Sequence, residues 1–202
     1  KAKTKRGRML ATVYSACMNE NASQAEERAL VSKAVIKVDE LKTREELLKY
    51  ISSRALEGEY SFLDLDRIPN QDRSEVWDLV VMGQLMSLPE RSYYAKPEVM
   101  KDFEALVTTF FKTIGADHPE TRAKAVVDFE KEFAQTYPLP REIRELTSVR
   151  TGISHKDLVD KYPSFYLDGL IKKLPAKTHI RHLAPANFDW MKEAFNKADL
   201  NV

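Results

Sequence analysis

The sequence predicts an all-α, mainly helical fold: a multi-helix domain built around an amphipathic helical hairpin, with one short strand pair, at most, around residues 60–85. Three observations carry this. Apolar residues recur at steps of three and four through most of the 202 residues. Helix-start signals (Thr43 with Glu46, Pro97, Pro119 and Ser154) stand ahead of those stripes, and Gly115 stands behind one. Six glycines are scattered, no repeat or low-complexity run occurs, and no linker is long enough to part domains. The economical expectation is a single domain over 1–202. A chain of this length buries roughly 70% of its unfolded surface, enough for a core without metal or disulfide staples.

From Met9 to Met18 the positions Leu10, Val13, Tyr14 and Cys17 share one helical face. Residues 24–38 continue without Gly or Pro, through Ala25, Ala29, Leu30, Val35 and Ile36. Thr43 with Glu46 makes a capping box, and Leu47, Leu48, Ile51 and Leu56 form the buried stripe behind it. Residues 58–78 are irregular, broken at Pro69-Asn70, and read as a long loop or a short strand pair. "EVWDLVVMGQLM" is a buried strand or a helix, and periodicity alone does not decide.

After Pro97, residues Val99, Met100, Phe103, Leu106, Val107, Phe110, Phe111 and Ile114 form one wide stripe, which Gly115 ends. A second helix follows, with Asp117 as the expected cap, Pro119 in its first turn, and Ala123, Val126, Val127, Glu130, Phe133 and Tyr137 on one side. The two form an antiparallel hairpin. "PLPREIREL" reads as a break, Ser154 caps a short helix ending before Pro163, and further helices are expected over "SFYLDGLIKKL" and "NFDWMKEAFNKA".

Lys and Arg number 32 against 31 Asp and Glu, so the overall field attracts neither nucleic acid nor acidic membrane, and no nucleic-acid partner is expected. The cluster Lys1, Lys3, Lys5, Arg6 and Arg8 within residues 1–8 reads as a solvated basic first turn or a frayed end. No apolar run reaches the length of a membrane span and no signal-peptide core follows the basic start. A first residue of Lys rather than Met leads us to expect a processed form or an excised fragment.

Residue chemistry yields no visible active site. Cys17 is the only cysteine, so no disulfide closes within the chain, and its place on an apolar helix face predicts an inert, buried thiol. His179 and His182 stand three apart, a spacing that shares a metal on a helix, but Pro185 and the lack of a nearby carboxylate pair favour surface histidines. His118 belongs to the turn that starts a helix. The carboxylates of "REELL", "FEKEF" and "MKEAF" fall where a solvated face needs charge, and HExxH and Gly-rich phosphate loops are absent. We therefore expect no catalytic residue, no metal ligand and no cofactor in this chain.

The stretch "GQLMSLPERSYYAKPEVM", residues 83–100, is the most distinctive. Pro89 and Pro97 fix φ at two points, which makes the link into the long helix a rigid elbow. Arg91 is placed to pair with a carboxylate or a carbonyl, and Tyr93 and Tyr94 offer rings with polar tips.

"GQLMSLPERSYY" resembles the "GLGLPDRDYY" segment in the non-catalytic, amino-terminal portion of the neprilysin and endothelin-converting-enzyme family of zinc metallopeptidases. "LATVYSACMNENAS" is similar to that family's "YxxCMNxxxI" helix end. "KVDELKTREELLKYISSRA" and "GISHKDLVDKYPSFYLDGLI" resemble its next capped helix and its "P-x-F-x-W" stretch, and "ADHPETRAKAVVDFEKEFAQTYPLPREIREL" its Glu-bearing helix and Arg-Asp run. Order and spacing agree from about residue 9 to the end. The chain departs at Gln84 to Ser87, at Arg144-Glu145 and at Thr151-Gly152, as a divergent branch would.

The resemblance implies a parent about three times longer, in which this helical lobe faces a catalytic lobe across an enclosed cavity. That missing lobe of the same polypeptide holds zinc through HExxH and a later Glu, with the HExxH Glu as base for peptide hydrolysis. This chain would wall the cavity and limit peptide size, with Leu88, Pro89, Arg91, Tyr93 and Tyr94 as candidate cavity-facing residues. An extracytoplasmic location is implied as well: secreted, periplasmic or membrane-anchored. Separated from its parent, the chain would expose apolar surface and is expected to self-associate or bind a hydrophobic dye. The alternative is a stand-alone helical module, without enzymatic activity, that binds a peptide or a protein.

Overall fold

The computed structural model describes residues 4–59, 62–148, 152–175 and 178–197, without the side chains of 20–23 and 170. The backbone groups into two compact units, Lys1–Leu41 and Lys42–Val202.

The first unit holds α1 (Lys5–Cys17) and α2 (Glu20–Asp39). Thr4 caps α1, its Oγ1 accepting from the Gly7 N–H at 3.0 Å. Lys5, Arg6 and Arg8 therefore sit in a basic, solvent-facing helix, while Lys1 and Lys3 lie outside the described residues. The expected buried face is not buried: Met9, Leu10, Val13 and Tyr14 of α1 are exposed, and so is Cys17, so the expectation of a buried thiol is corrected. Apolar spacing identifies a face that needs cover; it does not supply the cover.

The second unit starts with α3 (Arg44–Leu56), whose capping box is formed as read: Thr43 Oγ1 accepts from Glu46 N–H at 3.1 Å and Glu46 accepts from Thr43 N–H at 3.0 Å. The irregular stretch is a strand pair, β1 (Leu63–Pro69) and β2 (Trp77–Gly83), antiparallel with Leu63 opposite Gly83 and Pro69 opposite Trp77. A third strand, β3 (Ile180–His182), pairs parallel with β2 in the order β1-β2-β3. It was not anticipated: three residues are too few to show a period, and the pairing reaches across about a hundred positions of sequence.

Alternation divides the sheet. Leu63, Leu65, Leu79, Val81 and Ile180 face the main core, with Leu48, Ile51, Phe133, Phe165, Phe188, Met191 and Phe195. Ile68, Val80 and Met82 face a smaller cluster with Leu146, Leu183 and Ala184. Each fully buried Phe contributes roughly 2–3 kcal/mol through lost apolar exposure.

The predicted hairpin is α4 (Pro97–Thr113) and α5 (Pro119–Thr136). Gly115 takes φ +73° just past the end of α4, a left-handed position where a Cβ would strain the backbone. The cap of α5 is His118, in a left-handed conformation, and not Asp117. Pro119 disfavours the right-handed helical region for the residue before it, so the chain enters the helix through a different well. The wide α4 stripe is only partly covered. Phe103 is buried, but Leu106 is 67% and Phe110 46% exposed.

"PLPREIREL" is not a break but the start of α6 (Pro140–Ser148). Pro140 is at home in a first turn, and the Glu142 carboxylate accepts from the Leu139 N–H at 2.6 Å. Ser154 caps α7 (His155–Lys161) as expected, its hydroxyl accepting from Asp157 N–H at 3.0 Å. The helix expected over "SFYLDGLIKKL" shrinks to a 3-10 turn and the four-residue α8 (Asp168–Ile171), and α9 (Pro185–Lys197) closes the described chain. No helix among the described residues is long and apolar enough to cross a membrane.

Candidate functional site

The elbow begins where β2 ends. A Cβ on Gly83 would lie 3.0 Å from Met191 Cε and 3.2 Å from Asn187 Cβ, so a bare backbone lets α9 cross closely here. The chain then runs through Ser87, Leu88 and Pro89 into a 3-10 turn over Arg91–Ala95 before α4.

What holds the elbow is Glu130, on α5 and only 8% exposed. Its carboxylate accepts three hydrogen bonds: from Ser87 N–H at 2.9 Å, from Ser87 Oγ–H at 2.7 Å and from Tyr94 Oη–H at 2.7 Å. Tyr94 Oη in turn accepts from Leu88 N–H at 3.1 Å. Bonds to an ionised acceptor are about twice as strong as neutral ones, so this is the strongest polar tie between hairpin and elbow. The Tyr94 ring is 1% exposed and stands edge-on to Phe103. Burial first, and the Glu130 carboxylate beside it, push the Tyr94 phenol well above its usual range and keep it a donor.

Of the residues singled out from sequence, Leu88 packs beside Tyr94 and Phe103, and Arg91 Nη1 donates to the Tyr137 carbonyl at 3.1 Å, tying the turn to the end of α5. Tyr93 is half-buried beneath Lys96, whose Nζ lies 4.5 Å from the ring centroid, and Pro89 is exposed. The two residues that sequence reasoning missed are Ser87 and Glu130. Placing the "FEKEF" carboxylates on a solvated face is wrong for Glu130. The signal was available, since Glu130 falls on the apolar stripe of α5, where an acid requires partners.

A second polar group lies on the sheet face that carries Val80. The Asp78 carboxylate, buried, accepts from Asn70 Nδ2 at 2.8 Å and lies 3.2 Å from His179 Nδ1. Arg181, buried on the same face, donates from Nη2 to the Thr147 carbonyl at 2.6 Å. With Gln71, Asp72 and Arg73 these residues line a cleft of about 340 Å³.

His179 and His182 do not converge. The backbone there is extended, so positions three apart take opposite faces: His179 turns to Asp78, while His182 stands edge-on to Phe188 and Tyr162. His182 is therefore no surface histidine; burial foremost, with Lys161 adding to it, pushes its imidazole down to about 4. No group of three or more His, Cys, Asp or Glu among the described residues is placed to hold a metal ion. Among the described residues these side chains do not assemble a zinc site.

The family whose model matches this chain is Peptidase family M13, through its amino-terminal model and over residues 1–202. In fold the chain is similar to the zinc metalloprotease Zmp1 of Mycobacterium tuberculosis. To the structure in complex with inhibitor the TM-score is 0.65 at 11% identity, covering 86% of this chain and 28% of that one. To the cryo-EM open state it is 0.70 at 12% identity, covering 91% and 30%. At such identities the likeness is one of fold, and the chain spans less than a third of the length of the structures it matches. No curated protein matches. A whole-length match to the family model, on a fold shared with these structures, means that the chain belongs to peptidase family M13, the neprilysin and endothelin-converting-enzyme family, and corresponds to its amino-terminal portion.

Proposed function

We propose that this chain is the non-catalytic helical wall of a neprilysin-like zinc metalloendopeptidase, bounding the substrate cavity and limiting the size of peptide that reaches the catalytic lobe. The reading rests on one observation above the others: the amino-terminal family model runs through all 202 residues. The Glu130 tie adds physical support, because a wall that selects by size must hold its shape, and three charge-assisted bonds pin the elbow to the hairpin. In this reading the partner is the catalytic lobe of the same polypeptide, zinc is held there, and the site is extracytoplasmic. Pro89 and Tyr93, the family-motif residues least taken up by packing, are the ones that face the cavity.

The test is peptide hydrolysis by this chain alone and by the longer polypeptide that carries it, each with zinc. Cleavage only by the longer form, abolished by a chelator, supports the reading. Zinc-dependent cleavage by the 202-residue chain, or none by the longer form, rejects it.

A further inference from the structure

We infer that Asp189 is a latch that changes partners in acid: it holds α7 to α9 while His182 is neutral, and gives up that hold when His182 takes up a proton. The latch matters because α7 is only seven residues long. A helix that short does not hold itself together in water, so α7 depends on what it packs against. Its anchors are Leu158, 1% exposed in the main core, and the polar cluster at its end.

That cluster is built on one carboxylate. Tyr162 Oη–H donates to Asp189 Oδ1 at 2.9 Å, and Lys161 Nζ lies 3.2 Å from the same oxygen. Lys192, also on α9, donates from Nζ to the Lys161 carbonyl at 3.2 Å. His182, at the end of β3, stands between the two helices, edge-on to Tyr162 at 5.4 Å and to Phe188 at 4.6 Å between ring centroids. Among the described residues its Nε2 is buried with no hydrogen-bond partner.

A neutral imidazole tolerates that place, because one ring nitrogen can go without a donor's partner. A charged one does not, since both nitrogens then carry protons and an unpaired cation is costly to bury. The charges that act on it have opposite signs: Lys161 repels the cation and Asp189 attracts it. Tyr162 stays a neutral donor, its phenol pushed up to about 12 by burial first. The carboxylate that serves Tyr162 and Lys161 is therefore the acceptor a protonated His182 turns to, and α7 loses what that carboxylate gave it. Burial foremost holds the imidazole down to about 4, so the latch is closed above the ordinary 6.5 and opens as pH falls toward 4. Nothing in this depends on the chain being part of a peptidase.

The test is native-state hydrogen exchange on the 202-residue chain, corrected for the intrinsic effect of pH and repeated in low urea. It reads the amides of Leu158 and Tyr162, which donate to the Ser154 and Leu158 carbonyls. We expect their opening to rise about thirtyfold from pH 7.5 to 4.5 and to stay flat in low urea, as a local opening does, while the buried amides of α5 open by a urea-dependent path. His182→Phe keeps a ring in place and should hold the rise below about threefold. Asp189→Asn, at an exposed position that does not threaten folding, should open α7 about fivefold more than wild type already at pH 7.5. An equal rise in His182→Phe, an α7 as sensitive to urea as α5, or an α7 that stays closed in Asp189→Asn would each overturn the inference.

Discussion

Glu130 shows what one residue contributes. Glu130→Ala removes the acceptor of three donors at once, stranding the buried Tyr94 hydroxyl and leaving the N–H and hydroxyl of exposed Ser87 to water. At roughly 1–3 kcal/mol for the one stranded donor, with water replacing the carboxylate at Ser87, we expect a loss of about 2 kcal/mol in urea unfolding. Glu130→Gln keeps an acceptor oxygen and should cost about 1 kcal/mol. An alanine variant within about 0.5 kcal/mol of wild type would mean that the tie is not what holds the elbow. His182 supplies the pH dependence. Its folded value, about 4, lies below the ordinary 6.5, so the fold prefers the neutral ring. That stability is full above pH 6.5 and is lost as pH falls toward 4. Lys161 and Asp189 act on it with opposite signs, and Phe188 and Tyr162 exclude water. Relative to a His182→Phe variant, wild type should lose about 2 kcal/mol between pH 7.5 and 4.5. Parallel pH curves for the two proteins would contradict this.

Among elements, those with local signals were legible. The α3 capping box, the α4–α5 hairpin and the Ser154 cap are each written within a few residues, and each stands where the sequence placed it. Elements made by distant partners were not. β3 exists because Leu79 and Val81 find Ile180 and His182, and α6 was hidden because a proline at a first turn reads locally like a breaker. The candidate site divides in the same way: the motif from Leu88 to Tyr94 is written within a few residues, while its anchor, 36 residues beyond Tyr94, is marked only by an acid on the apolar stripe of α5. Two glycines test the packing around the sheet. Gly83→Ala meets the flexible end of Met191 at 3.0 Å and should cost about 1 kcal/mol. Gly152→Ala meets the Ile180 carbonyl at 2.7 Å and also His179 Nε2; a backbone oxygen yields less than a side-chain end, so we expect about 3 kcal/mol by thermal melts. The reverse order would show that β3 is the looser element.

At the scale of the whole molecule the uncovered surface matters most. Leu106 and Phe110 on α4, like the apolar residues of α1, are exposed on a chain that spans less than a third of its structural neighbours. We expect the isolated chain to bind a hydrophobic dye or to dimerise in light scattering, and Leu106→Ser with Phe110→Ser to reduce both while changing stability by less than about 0.5 kcal/mol. A dye-silent monomer before mutation would show that these faces need no cover. The central claim, that this chain sets the size of peptide admitted, is tested most directly by digesting a ladder of peptides of increasing length with the longer polypeptide, wild type and Glu130→Ala with Arg91→Ala. The length limit is expected to rise in the loosened variant while the shortest peptides are cleaved at nearly the wild-type rate. An unchanged limit in a variant shown to have lost the tie would contradict it.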